Sequence, residues 1–240
     1  MKQNEKSITG YLRRLSNILL INGGFLDNPG LYTGETGLVL FFFRYADYTK
    51  NELYREYSFE LIEKIQNRIH EETPIAYRQG LTGIGSAIEY LVQKCYVKAD
   101  TDEILEDFDN RIFSIRNLSQ LSMEEVISIR CYAMWRIAGS RSKRNVFLNT
   151  LLPLIANVME EQRSINEIDT PYVSQSIQAP SIFEMLSKND IFSPNKLNMG
   201  YQDGLAGIGM TLLYALDEDI SWSSLFPNEF IQLQNESLPV

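Results

Sequence analysis

Gly80-Leu81-Thr82-Gly83-Ile84-Gly85-Ser86-Ala87-Ile88-Glu89-Tyr90-Leu91 reads as a turn running straight into an apolar helix. Two other segments repeat the design: Gly34-Glu35-Thr36-Gly37-Leu38-Val39-Leu40-Phe41-Phe42-Phe43 and Gly204-Leu205-Ala206-Gly207-Ile208-Gly209-Met210-Thr211-Leu212. Ten of the 14 Gly fall in these segments, counting Gly30 and Gly200 just upstream. The long gap between the second and third motifs has room for further units of the first spacing. A repeat of this period signals a helical array. The first Gly of each pair is expected to permit a tight turn. The second, in the first helical turn, is expected to let a neighbouring backbone come close.

Each motif opens a helix that is apolar nearly all round, as in Leu38–Phe43 and Met210–Leu216, so protein should surround it. The next element differs. From Glu52 to His70, Tyr54, Tyr57, Leu61, Ile62, Ile65 and Ile69 recur at helical spacing, opposite Glu60, Glu63, Lys64, Asn67 and Arg68. That is an amphipathic outer helix. Thr101 to Arg116 repeats it with Ile104, Leu105, Phe108 and Ile112, and with Asp102 and Glu103 at its start, where they favour the helix dipole. Strand alternation is scarce and no hairpin signal is flanked by alternating segments. The expected class is all-α, in one domain over 1–240. Glycine repeats lie near 30–43, 79–91 and 200–214, with a degenerate region over 118–190. Helices are expected over roughly 123–137 and 145–161, with loops at 23–33, 71–79, 140–142, 170–180 and 188–203.

The chain has 240 residues, 44% of them apolar, enough for a sizeable core. With 31 Asp/Glu against 22 Lys/Arg it carries −9, which argues against a general nucleic-acid binder. Two cysteines do not make a disulfide framework, so the cytoplasm is the expected location. The stretch Leu15–Ile21 is short for a signal segment, and no run approaches a membrane span.

The motifs Gly80-Leu-Thr-Gly83-Ile-Gly85 and Asp203-Gly204-Leu-Ala-Gly207-Ile-Gly209 resemble those of lanthionine synthetase C-like proteins; Gly34-Glu-Thr-Gly37-Leu-Val fits more loosely. The resemblance implies a double-layered α/α toroid, with glycine motifs at the inner-helix starts and an outer helical ring. This chain has room for about four or five helical hairpins, so the toroid should be incomplete. The glycines that carry the resemblance are Gly34, Gly37, Gly80, Gly83, Gly85, Gly204, Gly207 and Gly209.

The resemblance also raises zinc. Family cyclases hold it with two Cys and one His, the second Cys directly before the His, and use it to activate a substrate thiol. Here Cys95, Cys131 and His70 supply the stoichiometry but no Cys-His pair. Cys95, ending a buried helix, reads as a small hydrophobe, and His70 as a cation favoured near helix-terminal carbonyls. No metal and no cofactor are expected.

If inner-helix starts line a bowl, Thr33, Glu35, Gln79 and Asp203 face it. Glu35 and Asp203 could then form an acid/base pair of the glycosidase kind, or simply serve the helix starts. Arg130, Arg136, Arg141, Lys143 and Arg144 form the basic cluster. It could receive an acidic peptide, or form an exposed face balancing Asp100, Asp102, Glu103, Glu106, Asp107 and Asp109. The Phe41-Phe42-Phe43 run reads as core. The expected function is peptide modification without cyclase activity. The chain would bind a peptide substrate or a peptide-modifying partner through Thr33, Gln79, Asp203, Arg141, Lys143 and Arg144. A carbohydrate-active enzyme and a non-catalytic helical scaffold are the alternatives. An exposed inner layer would favour a homodimer or complex.

Overall fold

The computed structural model describes residues 2–115, 117–139, 149, 151–160, 198–202 and 204–227. Their regular secondary structure is helical and contains no strand, which agrees with the all-α class and with an incomplete α/α toroid. In order come α1 (Lys2–Asn22), α2 (Glu35–Thr49), α3 (Glu52–Arg68), α4 (Leu81–Gln93), α5 (Thr101–Ile104), α6 (Glu106–Phe113), α7 (Met123–Gly139) and α8 (Leu205–Asp217). Residues 151–160 are also helical. The chain packs as two compact units, Met1–Glu71 with Tyr172–Ile220, and Glu72–Pro171 with Ser221–Val240.

In the first unit, α2 is the inner helix and everything from Glu35 to Ala46 on it is buried. The chain then reverses within two residues. Lys50 takes a left-handed backbone (φ 54°) and Asn51 caps α3 by accepting from Leu53 N at 3.1 Å. Helix α3 buries only Tyr54, Ser58, Leu61 and Ile65, the stripe its periodicity predicts. The phenylalanine run is core, and its rings point to different neighbours. Phe41 abuts Gly209 on α8. Phe42 meets Tyr57 edge-on at 4.9 Å, and Phe43 meets Phe59 at 5.3 Å. Each fully buried ring contributes about 1.5–3 kcal/mol.

Helix α8 packs against both α1 and α2, so the third glycine motif sits beside the first. Leu12, Leu15 and Leu19 of α1 are fully buried in this unit. Helix α8 is more open than its apolar sequence predicts, because Tyr214 at its far end is 39% exposed. Arg44 ends the apolar run of α2 for a structural reason. Its guanidinium is 3% exposed and holds Asp217 through two bonds, at 2.7 and 2.8 Å, and Asp219 at 2.7 Å. That ties the end of α2 to the end of α8.

In the second unit α4 and α7 are the inner pair. Helix α7 buries Val126 to Ile129, Cys131 to Ala133 and Arg136, although no glycine motif precedes it. A capping box replaces the motif: Ser122 N and Oγ donate to Glu125 Oε2 at 2.8 Å, and Glu125 N donates back to Ser122 Oγ at 3.3 Å. The single outer helix expected over 101–116 is broken. Fully buried Leu105 separates α5 from α6, with Asp100 capping α5 through Asp102 N at 2.9 Å. Four residues of α5 suffice to aim Asp102 inward, and α6 then buries Phe108, Asp109 and Ile112.

Candidate functional site

The glycine-motif helix starts share one backbone construction. The loop before each start folds back so that a carbonyl accepts the first helical N–H: Asn28 O from Glu35 N, Pro74 O from Leu81 N and Asn198 O from Leu205 N, all at 2.8 Å. In the first and third loops an asparagine side chain fastens the turn. Asn28 Oδ1 accepts from Gly30 N at 2.8 Å and Asn198 Oδ1 from Gly200 N at 3.0 Å. Thr36 and Thr82 hydroxyls add equivalent bonds to Pro29 O and Ile75 O.

The capping glycines therefore serve a different purpose from the one expected. Gly34, Gly80 and Gly204 have φ of −117°, −130° and −125°, which any residue adopts. What excludes a side chain is space. A Cβ on Gly80 would strike Pro74 O, with Pro74 C at 2.7 Å and Ala76 O at 2.8 Å. On Gly34 and Gly204 it would strike Asn28 O and Gly200 O. Gly37 and Gly207, the second glycines of the first and third motifs, behave as expected, Gly207 lying against Tyr201 O. Gly37 admits Leu31 O, and also Tyr201 N of the neighbouring loop at 3.3 Å from a would-be Cβ. Gly85 and Gly209 admit aromatic rings, those of Tyr132 and Phe41.

In the first unit the loops of the first and third motifs meet. Gln202 N donates to Tyr32 O at 2.7 Å, and Gly200 lies against the Thr33 backbone. Thr33 is half-buried and its hydroxyl accepts from Asn28 Nδ2 at 2.9 Å. Burial pushes the Tyr201 phenol well above its ordinary range. Glu35 is fully buried at the start of α2 and pairs with two cations of α3, Lys64 Nζ at 2.7 Å and Arg68 Nη1 at 3.3 Å. The same cations bind the carbonyls of Gly24 and Leu26, so the group clamps the loop before α2 onto the outer helix. Gln79 is exposed in the second unit, just before Gly80. Asp203, Arg141, Lys143 and Arg144 lie outside the described residues.

Arg136 corrects the reading of an exposed basic face. It is fully buried, and its guanidinium meets Glu89 of α4, Asp102 of α5 at 2.9 Å and Asp109 of α6 at 2.9 Å. The balance against the acidic stretch 100–109 exists, but in the interior. Tyr132 donates to Asp109 Oδ1 at 2.8 Å. Burial, and then the charge of Asp109, hold its phenol well above the usual range. Burial works against the charge on Arg136, but Asp109 and Glu89 outweigh it and keep the guanidinium protonated. Motif and composition reading missed this cluster. Its signal was a Glu inside Ser86–Leu91 and an Arg inside Ala133–Ile137, each a lone charge in an apolar helix.

The possible zinc donors do not resemble a ligand set. His70 is exposed just beyond α3. Cys95 is exposed, not a buried hydrophobe, because α4 stops at Gln93 and the chain turns there with φ 60° at Cys95. Cys131 is buried on α7, close to the Tyr77 phenol. Among the described residues no group of three His, Cys, Asp or Glu could hold a metal ion. No helix among them is long and apolar enough to cross a membrane.

Comparison with known proteins bears on the same elements. Residues 26–128 match the family described as lanthionine synthetase C-like protein, a span that takes in the first two glycine motifs, α2 to α6 and the start of α7. No curated protein and no solved structure matches the chain significantly. Two matched motifs, their common backbone construction and the paired inner and outer helices agree: over residues 26–128 the chain is similar to the lanthionine synthetase C-like family.

Proposed function

We propose that the protein takes part in peptide modification or maturation by binding a precursor peptide or a peptide-modifying enzyme, without acting as a zinc cyclase. The observation that carries this reading is the family match joined to the character of the donors. Cys131 is buried beside a tyrosine while Cys95 and His70 face solvent. Cyclisation of this kind needs a thiolate-activating metal with an open position. The binding residues proposed are Thr33, Gln79 and Asp203 at the helix starts, with Arg141, Lys143 and Arg144 for acidic stretches of the peptide. A homodimer or complex in the cytoplasm belongs to the same reading.

The test joins two measurements on the full chain. Fluorescent Ser/Thr/Cys-rich precursor peptides, some with acidic leaders, are titrated by anisotropy. A dehydroalanine- and cysteine-containing peptide is incubated with added zinc and followed by mass spectrometry. Saturable binding that weakens on reversing the charge of Arg141, Lys143 and Arg144, with thiols left free, supports the reading. Thioether formation, or no binding by any peptide, sinks it.

A further inference from the structure

Of the chain's asparagines only Asn22 is followed by a glycine, in Ile21-Asn22-Gly23-Gly24. Such a pair can react with itself. A glycine has no Cβ to keep its backbone nitrogen away from the preceding side chain, so the Gly23 nitrogen can attack Asn22 Cγ. A C–N bond forms, the Cγ–Nδ2 bond breaks, and ammonia leaves with the proton of the Gly23 N–H. The product is a succinimide ring. Water then opens it at either carbonyl. One opening gives aspartate. The other gives isoaspartate, in which the main chain runs through the former side chain and is one methylene longer.

The structure places this pair where α1 passes into the loop before the first glycine motif. Three features oppose ring closure there. Asn22 ends α1 with a helical ψ of −19°, and the ring closes only after rotation about its Cα–C bond. Its side chain is turned back along the helix, Nδ2 donating to Ile18 O at 2.8 Å. The Gly23 backbone is buried, and a Cβ on it would stand 2.9 Å from Tyr57 Oη of α3 and 3.2 Å from Leu38 Cδ1 of α2. Past Gly23 the packing ends: Gly24 is exposed and Phe25 is 78% exposed. Asn22 is itself half-buried, at a helix end, where local opening is least costly.

We propose that Asn22-Gly23 is a deamidation site held in check by the fold: it reacts when the end of α1 opens, and the isoaspartate formed keeps Gly23 from returning to its place against α2 and α3. That place admits a bare glycine backbone, so a methylene added just before it displaces the chain. Either product also exchanges an amide donor for a carboxylate. Ile18 O loses its side-chain donor, and a negative charge arrives at the carbonyl end of α1, where the helix dipole disfavours it. The displacement passes to the loop clamp, because Lys64 holds Gly24 O and Leu26 O, and Arg68 holds Leu26 O.

The test incubates the full chain in mildly alkaline buffer, folded and in denaturing urea. Asn22 is followed by peptide mapping with mass spectrometry, and isoaspartate by enzymatic methylation. In urea Asn22 should convert ahead of the other asparagines. In the folded chain its rate should be lower by about tenfold or more, equivalent to about 1.4 kcal/mol of local opening. Chain carrying isoaspartate at position 22 should have a lower Tm than fresh chain, whereas Asn22→Gln aged in parallel should keep its own Tm. Equal rates in the folded and unfolded chain, an Asn22 that stays intact in urea, an unchanged Tm after conversion, or an equal loss in aged Asn22→Gln would overturn the proposal. The rates are read on the wild type alone and decide the matter if the variant fails to fold.

Discussion

Replacing Gly80 by Ala tests whether the glycine motif exists for space rather than for backbone freedom. At φ −130° alanine is conformationally acceptable, and the loss of unfolded-chain entropy alone would stabilise the protein by about 0.4–1 kcal/mol. The new Cβ, however, would strike Pro74 O and stand 2.7 Å from Pro74 C and 2.8 Å from Ala76 O. These are backbone atoms, so the loop must move. Moving it breaks the 2.8 Å bonds from Leu81 N to Pro74 O and from Gly80 N to Ala76 O, each worth about 1 kcal/mol. Residual overpacking adds about 1–3 kcal/mol. The expected net loss is about 2–4 kcal/mol, seen as a lower urea midpoint. Gly10→Ala is the control. Gly10 lies inside α1 with nothing within 4 Å of a would-be Cβ, so that change should stabilise by about 0.5–1 kcal/mol. A neutral or stabilising Gly80→Ala would refute the steric account.

Other substitutions probe the ion clusters and the metal reading. Arg44→Met should cost about 1–3 kcal/mol in urea unfolding, because Asp217 and Asp219 lose charged hydrogen bonds but remain partly solvated. A change below about 0.3 kcal/mol would show that the link between α2 and α8 is dispensable. Glu35→Gln should lower stability by about 1–3 kcal/mol and raise proteolysis of the loop before α2, since Lys64 and Arg68 lose their buried anion. Unchanged stability joined to loss of a glycoside-hydrolysing activity would return Glu35 to a catalytic role. Elemental analysis of purified protein should find no stoichiometric zinc, and Cys131→Ala should leave metal content unchanged; zinc lost on that substitution would restore a metal site.

Much of the fold was legible because its signals are local. The apolar run on α2, the stripe on α3 and the glycines before α2, α4 and α8 are all periodicities within one helix and its turn. The broken helix at Leu105 was not, since each half is too short to disturb a periodic pattern. The inner character of α7 escaped the motif reading because a Ser122–Glu125 capping box does the work of a glycine loop there. Of the candidate site residues, Thr33 was placed beside another motif. Glu35 was placed with α3, in a loop clamp that explains its burial without chemistry.

The sequence by itself determined the helical class, the alternation of buried and half-buried helices and the family resemblance of its glycine motifs, because burial periodicity and small residues at helix starts are written into consecutive positions. Only the tertiary structure decided what each charge and each glycine is for. Arg136 reads as a surface cation until Glu89, Asp102 and Asp109 converge on it from different helices. Gly80 reads as a residue that permits a tight turn until its own loop folds back and fills the place of a side chain. Both depend on what comes near, and proximity between distant residues follows from the packing of whole elements.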